Sequence, residues 1–533
     1  MQCGCSLGDA GALAKEIRGL PLRYRAADHM AKSGHKIVDF NSVLMGLNLI
    51  VACLVGSAYS LAQNNDYIDQ NTILLGLLLS LQTHLALRIE KARRDPFVIV
   101  LAFTTVFYFS LRLYTLALYP FSVVFGRYSY GPNDSNFALV FIIIANIFLY
   151  AGFFSVGFRR NAVVDSRDWR PTASARVVTL IVISLIFSYF SAIYWTPGEE
   201  PSAVALIGIF ISPPVILLMG LSYFFLFRKK LNRKAAIAIG TLILLEMIVH
   251  TLSGSRSGIA TVLQNIMLAL LAISSSIKFR RSYFIMGCAL APIVLALLIG
   301  TFAISTFNRL HKEGPSVDLV QSIELAGEAS EWLGANAEWD VVLPPIFDRA
   351  GFFDYSAEVI AHADVYKDVF NFSTYAKSII DNVLTPGFDV YDQPRISNTL
   401  IFVYDGLGAP SKVSILPEFY HSDQFGIYGE LYALLGYPSL PLFFLIAFVL
   451  KRVYVRLGSD NPFALAMKRL VVLTIFVKIV NSYGMDWTII EMLPFVVAIY
   501  LYRFFFRSRR LPLLERHPPS SDLDVSSGVR SAI

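Results

Sequence analysis

Long apolar runs, broken by short turns that alternate between basic and neutral or acidic, dominate this chain. Windows of about 20 apolar residues, long enough to cross a hydrocarbon core as a helix, recur along nearly its whole length. They predict helices over 38–62, 72–88, 97–119, 137–158, 177–195, 203–227, 235–252, 258–277, 283–306, 426–450, 463–483 and 486–506, about twelve spans. Residues 308–425 break the pattern, being aromatic-rich and acidic, with 18 Asp and Glu against seven Lys and Arg. Within them Phe372, Tyr375, Ala376, Ile379 and Val383 recur at helical spacing until Pro386-Gly387 stops the pattern. This predicts an amphipathic helix lying on the membrane or on the bundle. Helices are also expected over 354–369 and 317–333, so the loop reads as an ordered cap. The expected fold is an all-α polytopic membrane protein with one large loop.

Composition agrees: 55% of the 533 residues are hydrophobic and 16% charged, which leaves little outside the loop for a soluble domain. The basic residues then orient the chain. Arg88, Lys91, Arg93 and Arg94 share one short loop, Arg159, Arg160, Arg167 and Arg170 another, and Arg228, Lys229, Lys230, Arg233 and Lys234 a third. Lys278, Arg280 and Arg281, then Lys451, Arg452 and Arg456, fall on the same side by parity, whereas Asp66, Asp69, Glu199 and Glu200 fall on the other. By the positive-inside rule both termini face the cytoplasm and the large loop faces outward. The positive net charge therefore anchors loops to the membrane and implies no nucleic-acid partner. The expected divisions are a leader (1–37), nine spans (38–307), the outward loop (308–425), three spans (426–506) and a disordered tail (507–533). The first span lacks an A-x-A-like cleavage site and reads as a retained anchor. Cys3, Cys5, Cys53 and Cys288 all lie outside the loop, so no disulfide framework is expected.

Ionisable groups inside spans are costly, so their depth carries information. Arg112, Glu246, His250, Lys478, Glu430 and Glu491 all fall in the outer halves of their spans, and only His84 lies near the cytoplasmic end. That distribution suits a cavity open to the outer surface better than a path through the membrane. Glu246 and His250, at i and i+4, read either as helix-packing partners or as support for a site, and Arg112 reads either as paired with a carboxylate such as Glu491 or as part of a site. The loop aromatics Trp332, Trp339, Phe352, Tyr355, Tyr366, Phe388, Tyr391, Phe419 and Tyr420 are either core and interfacial belt or flat faces for sugar rings. At the outer turn, Ser253-Gly254-Ser255-Arg256-Ser257-Gly258 flanks an arginine with small residues where a helix opens. Guanidinium plus helix-terminal amides make an anion site, although a tight hairpin with a solvated arginine has the same sequence.

With that layout, the turn resembles the bacterial O-antigen and repeat-unit polysaccharide polymerases and the related O-antigen ligases. Two further stretches resemble the same family: Asp95-Pro96 through Gly131-Pro132-Asn133-Asp134 to Phe158, and His421 through Gly429-Glu430-Leu431-Tyr432, Leu435-Gly436-Tyr437 and Pro438. The resemblance implies a GT-C-like architecture in the bacterial inner membrane and a metal-independent, inverting glycosyl transfer with no cofactor. A glycan on undecaprenyl pyrophosphate would pass to a sugar hydroxyl of another lipid-linked repeat unit, alongside a flippase and a chain-length regulator as partners. Arg256, Arg309, Arg349 and Arg395 would neutralise the pyrophosphate, and His421 or Glu430 would take the hydroxyl proton. The ligases' His-Asn pair reads His421-Ser422-Asp423 here. The alternatives are a ligase, another lipid-linked-sugar transferase, and, from a different class, a flippase or secondary transporter. Nine expected spans before the loop and three after it lack the related halves of many transporters.

Overall fold

The computed structural model describes residues 37–89, 95–119, 130–157, 169–171, 174–194, 213–227, 230–231, 233–252, 256–273, 278–280, 351–367, 369–381, 390–393, 396, 425–459, 461–481, 485–503, 505–506 and 508–510, with isolated positions between 285 and 328. The described chain is mostly helical. Helices α1 (Phe40–Ser57), α2 (Gln70–Arg88), α3 (Pro96–Leu118), α4 (Pro132–Ser155), α5 (Ser174–Tyr194), α6 (Pro213–Phe227), α7 (Arg233–Leu252) and α8 (Arg256–Ile273) occupy the first eight expected positions. The expected 283–306 span lies outside the described residues apart from isolated positions. Beyond it come α9 (Phe352–Ala361), α10 (Ala363–Tyr366), α11 (Phe372–Ile379), α12 (Gly426–Leu435), α13 (Leu440–Arg456), α14 (Pro462–Asn481) and α15 (Met485–Tyr502). Among the described helices, Phe40–Ser57, Pro96–Leu118, Pro132–Ser155 and Tyr437–Arg456 are long and apolar enough to cross a membrane by length and composition. In lipid an unpaired backbone amide finds no water, so such runs close their hydrogen bonds internally as helices.

The expected single helix over 426–450 is two helices. Gly436 adopts φ +62, a left-handed conformation that ends α12, and Pro438 follows in a short 3-10 turn before α13. The apolar run alone hid this break. Gly429 lets α12 approach α9 closely, since a Cβ there would sit 3.2 Å from Val359 Cβ. Gly152 does the same between α4 and α13: an added Cβ would lie 2.5 Å from the Phe444 carbonyl oxygen.

Of the four long apolar segments, α3 and α4 are the more buried, while α1 and Tyr437–Arg456 keep most of their surface exposed. On α2, Leu74, Leu78, Leu81 and Leu85 form an exposed stripe at helical spacing, as do Leu445, Val449 and Val453 on α13. In a membrane protein such stripes face lipid. Polar ties replace hydrophobic drive between the helices. Asn48 donates to the Ser80 carbonyl at 2.9 Å, and Ser80 Oγ bonds Ser110 Oγ at 3.1 Å. Ser110 closes a π-helical segment, Thr105–Ser110, inside α3. One extra residue turns the following face by about 100° and so re-aims Arg112.

Two short ribbons tie distant segments together. Strand β1 (Ile37–Asp39) pairs antiparallel with β3 (Lys278–Arg280), and β2 (Trp169–Pro171) pairs with β4 (Ser508–Arg510). Lys230 Nζ donates to the Trp169 carbonyl at 2.7 Å.

Candidate functional site

Two helices that reach the site are fixed at their starts. Asp95 caps α3 through the Phe97 amide at 3.1 Å, with Pro96 in the first turn, and Asp134 caps α4 by accepting from the Gly131 amide at 2.8 Å. These two caps account for much of the Asp95-Pro96 and Gly131-Pro132-Asn133-Asp134 pattern. Nearby, Asp69 caps α2; burial would raise its carboxyl, but hydrogen bonds from Thr72 and Asn136 outweigh that and hold it below the usual range.

Near the far end of α3, Arg112 is fully buried and paired with Asp354 of α9. Nη2 lies 2.5 Å from Asp354 Oδ2, Nε lies 3.1 Å from both carboxylate oxygens, and Nη1 reaches Thr115 Oγ1 at 3.4 Å. The pairing expected of Arg112 is present, with Asp354 as the partner. Tyr130 sits beside this pair. Burial, reinforced by the Asp354 charge and opposed by Arg112, pushes its phenol well above the usual range.

From Asp354 a row of ionisable groups climbs one face of α9 at four-residue steps. Glu358 is buried, and its Oε1 lies 3.4 Å from the Tyr366 hydroxyl and 3.8 Å from His362 Nε2. His362 stands where α9 ends and α10 begins, so the helix expected over 354–369 is broken there.

A second network fastens α11. Glu430 is 1% exposed; its oxygens accept from the Met485 amide at 2.9 and 3.0 Å, and Oε1 also accepts from the Tyr375 hydroxyl. The α12 helix precedes the Tyr437–Arg456 span, and burial there pushes the Glu430 carboxyl up to about 8. Burial and the Glu430 charge push Tyr375 well above its usual range. Ser378 donates to Asp486 at 2.8 Å, and the Ile396 amide donates to the same oxygen at 3.1 Å. Asp381 accepts from the Tyr391 and Gln393 amides. The helix therefore lies on the bundle through Tyr375 and Ser378, while Phe372 and Ala376, expected on its buried face, are exposed. Polar partners on α12 and α15 set its rotation, overriding the apolar pattern.

Of the residues expected at a site, Arg256 is the first residue of α8, and Glu246 and His250 lie on α7, with their side chains outside the described residues. Arg309, Arg349, Arg395 and His421 also lie outside them, as does the side chain of Glu491. Described neighbours of three of these meet on the α9–α12 assembly. Gly351 leads into α9, Ile396 is buried with Val359 and Phe425 in one apolar cluster, and the Phe425 carbonyl accepts from Ser356 of α9 at 3.1 Å. Among the loop aromatics, Phe352 and Tyr366 are core and Tyr355 is half-buried, whereas Tyr391 is exposed. Sequence reasoning missed Asp354, Glu358, His362 and Asp486; the four-residue spacing of the first three was the available signal. Among the described residues no group of His, Cys, Asp and Glu is arranged to hold a metal ion. In comparisons with known proteins, no family model, curated sequence or solved structure matches the chain.

Proposed function

We propose that this protein is a repeat-unit polysaccharide polymerase of the bacterial inner membrane. It transfers a growing glycan from undecaprenyl pyrophosphate to the hydroxyl of another lipid-linked repeat unit, with inversion, on the outer face. Both termini are cytoplasmic and about twelve spans carry the 308–425 loop outward, in a GT-C-like arrangement. The supporting observation is the concentration of buried ionisable groups where α9–α12 dock on the bundle: Arg112, Asp354, Glu358, Glu430 and Asp486 all gather there. Burying charge is costly, and placing so much of it at one face of a membrane bundle fits a polar reaction at that face.

Pyrophosphate is a good leaving group, so the protein must supply charge neutralisation and a base. Arg256 at the start of α8 supplies the first, together with Arg309, Arg349 and Arg395 of the loop; Arg256 there combines its own charge with helix-terminal amides. With its carboxylate closed in by Tyr375 and Met485, Glu430 fits the task of holding the loop helix, which leaves the proton to a histidine.

The test is a reaction of purified full-length protein with the undecaprenyl-pyrophosphate-linked repeat unit extracted from the source bacterium. A product ladder that vanishes in Arg256→Ala supports the proposal. A single addition to a lipid or protein acceptor would make the enzyme a ligase. No product, with movement of that lipid across vesicles, would make it a transporter.

A further inference from the structure

We propose that α11 lies in the outer headgroup layer of the membrane, pinned to the bundle by one face and resting an apolar flank on lipid. The inference stands apart from the polymerase reading and uses only the outward placement of the 308–425 loop. Three sides of this eight-residue helix have three different surroundings. Tyr375 and Ser378 are buried and bond Glu430 and Asp486. Phe372, Ala376 and Ile379, at i, i+4 and i+7, form an apolar flank about 100° around the helix from that face. Phe372 is 74% exposed, the most open large apolar side chain among the described residues, and Ala376 is exposed as well. Ser373 and Lys377 occupy the remaining side, and both are exposed. A phenyl ring so placed is costly in water and favourable against acyl chains.

What covers the flank follows from where α11 is seated. Asp486, Ile489, Leu493 and Tyr500, at i, i+3, i+7 and i+14, share one face of α15, the last expected span, which starts on the outer side by parity. Helix α11 covers the first of these through Ser378, whereas Ile489, Leu493 and Tyr500 are exposed. That open stripe faces lipid, so α11 sits where the stripe ends, about one helical turn beyond it. A helix at that level meets headgroups on its outer side and the acyl boundary beneath. The segment after α11 has the same character. Val390 and Tyr391 are exposed, Asp381 holds the Tyr391 amide, and Lys377 Nζ lies 6.0 Å from the Tyr391 ring centre. A lysine beside an exposed ring suits a layer with phosphates above and acyl chains below. The apolar spacing of α11 therefore finds lipid, and its polar residues take the bundle.

The experiment places nitroxide labels on the full-length protein in bilayer discs of phosphatidylethanolamine and phosphatidylglycerol. With Cys3, Cys5, Cys53 and Cys288 changed to serine, Phe372→Cys, Ser373→Cys and Leu493→Cys each carry one label. Oxygen concentrates among acyl chains and a nickel chelate in water, so the two collision rates report what each label meets. The Phe372 label is expected to favour oxygen, as the Leu493 label does, and the adjacent Ser373 label to favour nickel, with a severalfold difference in the ratio between neighbours. A Phe372 label that favours nickel as strongly as Ser373 would overturn the proposal, because the flank would face water. Shielding of that label from both reagents would also overturn it, since protein would then cover the flank. Nickel preference at Leu493 would do the same by placing the α15 stripe in water. None of these readouts uses turnover, so a failed polymerase assay leaves them standing.

Discussion

One helix, α3, carries a buried ion pair at each end, and the two pairs have different surroundings. At its start Asp95 meets Lys451 of α13; near its end Arg112 meets Asp354 of α9. Seventeen residues separate Asp95 from Arg112, about 25 Å along a helix and close to a hydrocarbon thickness. The first pair is walled in by aromatics. Lys451 Nζ lies 5.8 Å from the Phe97 ring centre, and Phe97 packs on Phe153, Tyr454 and Phe476. On α9 the second pair is followed at four-residue steps by buried Glu358 and by His362, whose side chain is 35% exposed. Similar chemistry thus makes a lock between helices at one end and the root of a polar row at the other.

Removing one partner of a buried pair strands a charge, so Asp354→Ala and Asp95→Ala should each cost about 3–5 kcal/mol. Their consequences should differ. Asp354→Ala should release α9–α11 and speed trypsin cleavage at the exposed Lys367 and Lys377, with the bundle still folded; Asp95→Ala should loosen the bundle and lower the thermal midpoint of the whole chain. Equal cleavage rates in the two variants would erase the distinction.

A smaller effect separates the networks by pH. Burial pushes the folded Glu430 carboxyl up to about 8 from an ordinary 4.5, so the folded state binds the proton more tightly. Its contribution is present in full below about pH 4.5, falls as pH rises, and is lost above about 8. Glu430→Gln should flatten the dependence of the thermal midpoint over that window. An unchanged slope would assign the dependence to another group.

Overpacking at the α4–α13 contact gives a control away from both pairs. Gly152→Ala forces a methyl group toward the Phe444 carbonyl and should cost about 1–3 kcal/mol in thermal denaturation without altering trypsin cleavage at Lys367. Smallest of all, Tyr375→Phe removes one hydrogen bond to Glu430 and should cost about 1 kcal/mol, seen as a modest fall in the same midpoint.

Much of the fold was legible because apolar runs become helices wherever backbone groups must pair internally: ten of the expected runs each fall on one described helix, and four described segments are long and apolar enough to cross a membrane. The break at Gly436 was not, because hydropathy carries no backbone dihedral. For Arg112, depth in the helix was readable but the partner was not, since Asp354 lies 242 residues away. The rotation of α11 was misread because its apolar spacing competes with Glu430 and Asp486, which arrive from α12 and α15. In the loop, 18 acidic residues offered many pairs at helical spacing, and only the packing of α9 on α3 and α4 singles out Asp354, Glu358 and His362.

The most direct test compares two doubly neutralised proteins in the ladder reaction. Arg112→Met with Asp354→Leu, and Lys451→Met with Asp95→Asn, each remove a whole pair, and both should stay within about 2 kcal/mol of wild-type stability because no charge is left stranded. The Asp95–Lys451 double should polymerise at the wild-type rate, whereas the Arg112–Asp354 double, folded but without the ion pair that ties α9 to α3, should fall at least about tenfold. Full activity in the Arg112–Asp354 double would contradict the account, because it would show that pair to be a lock like the other.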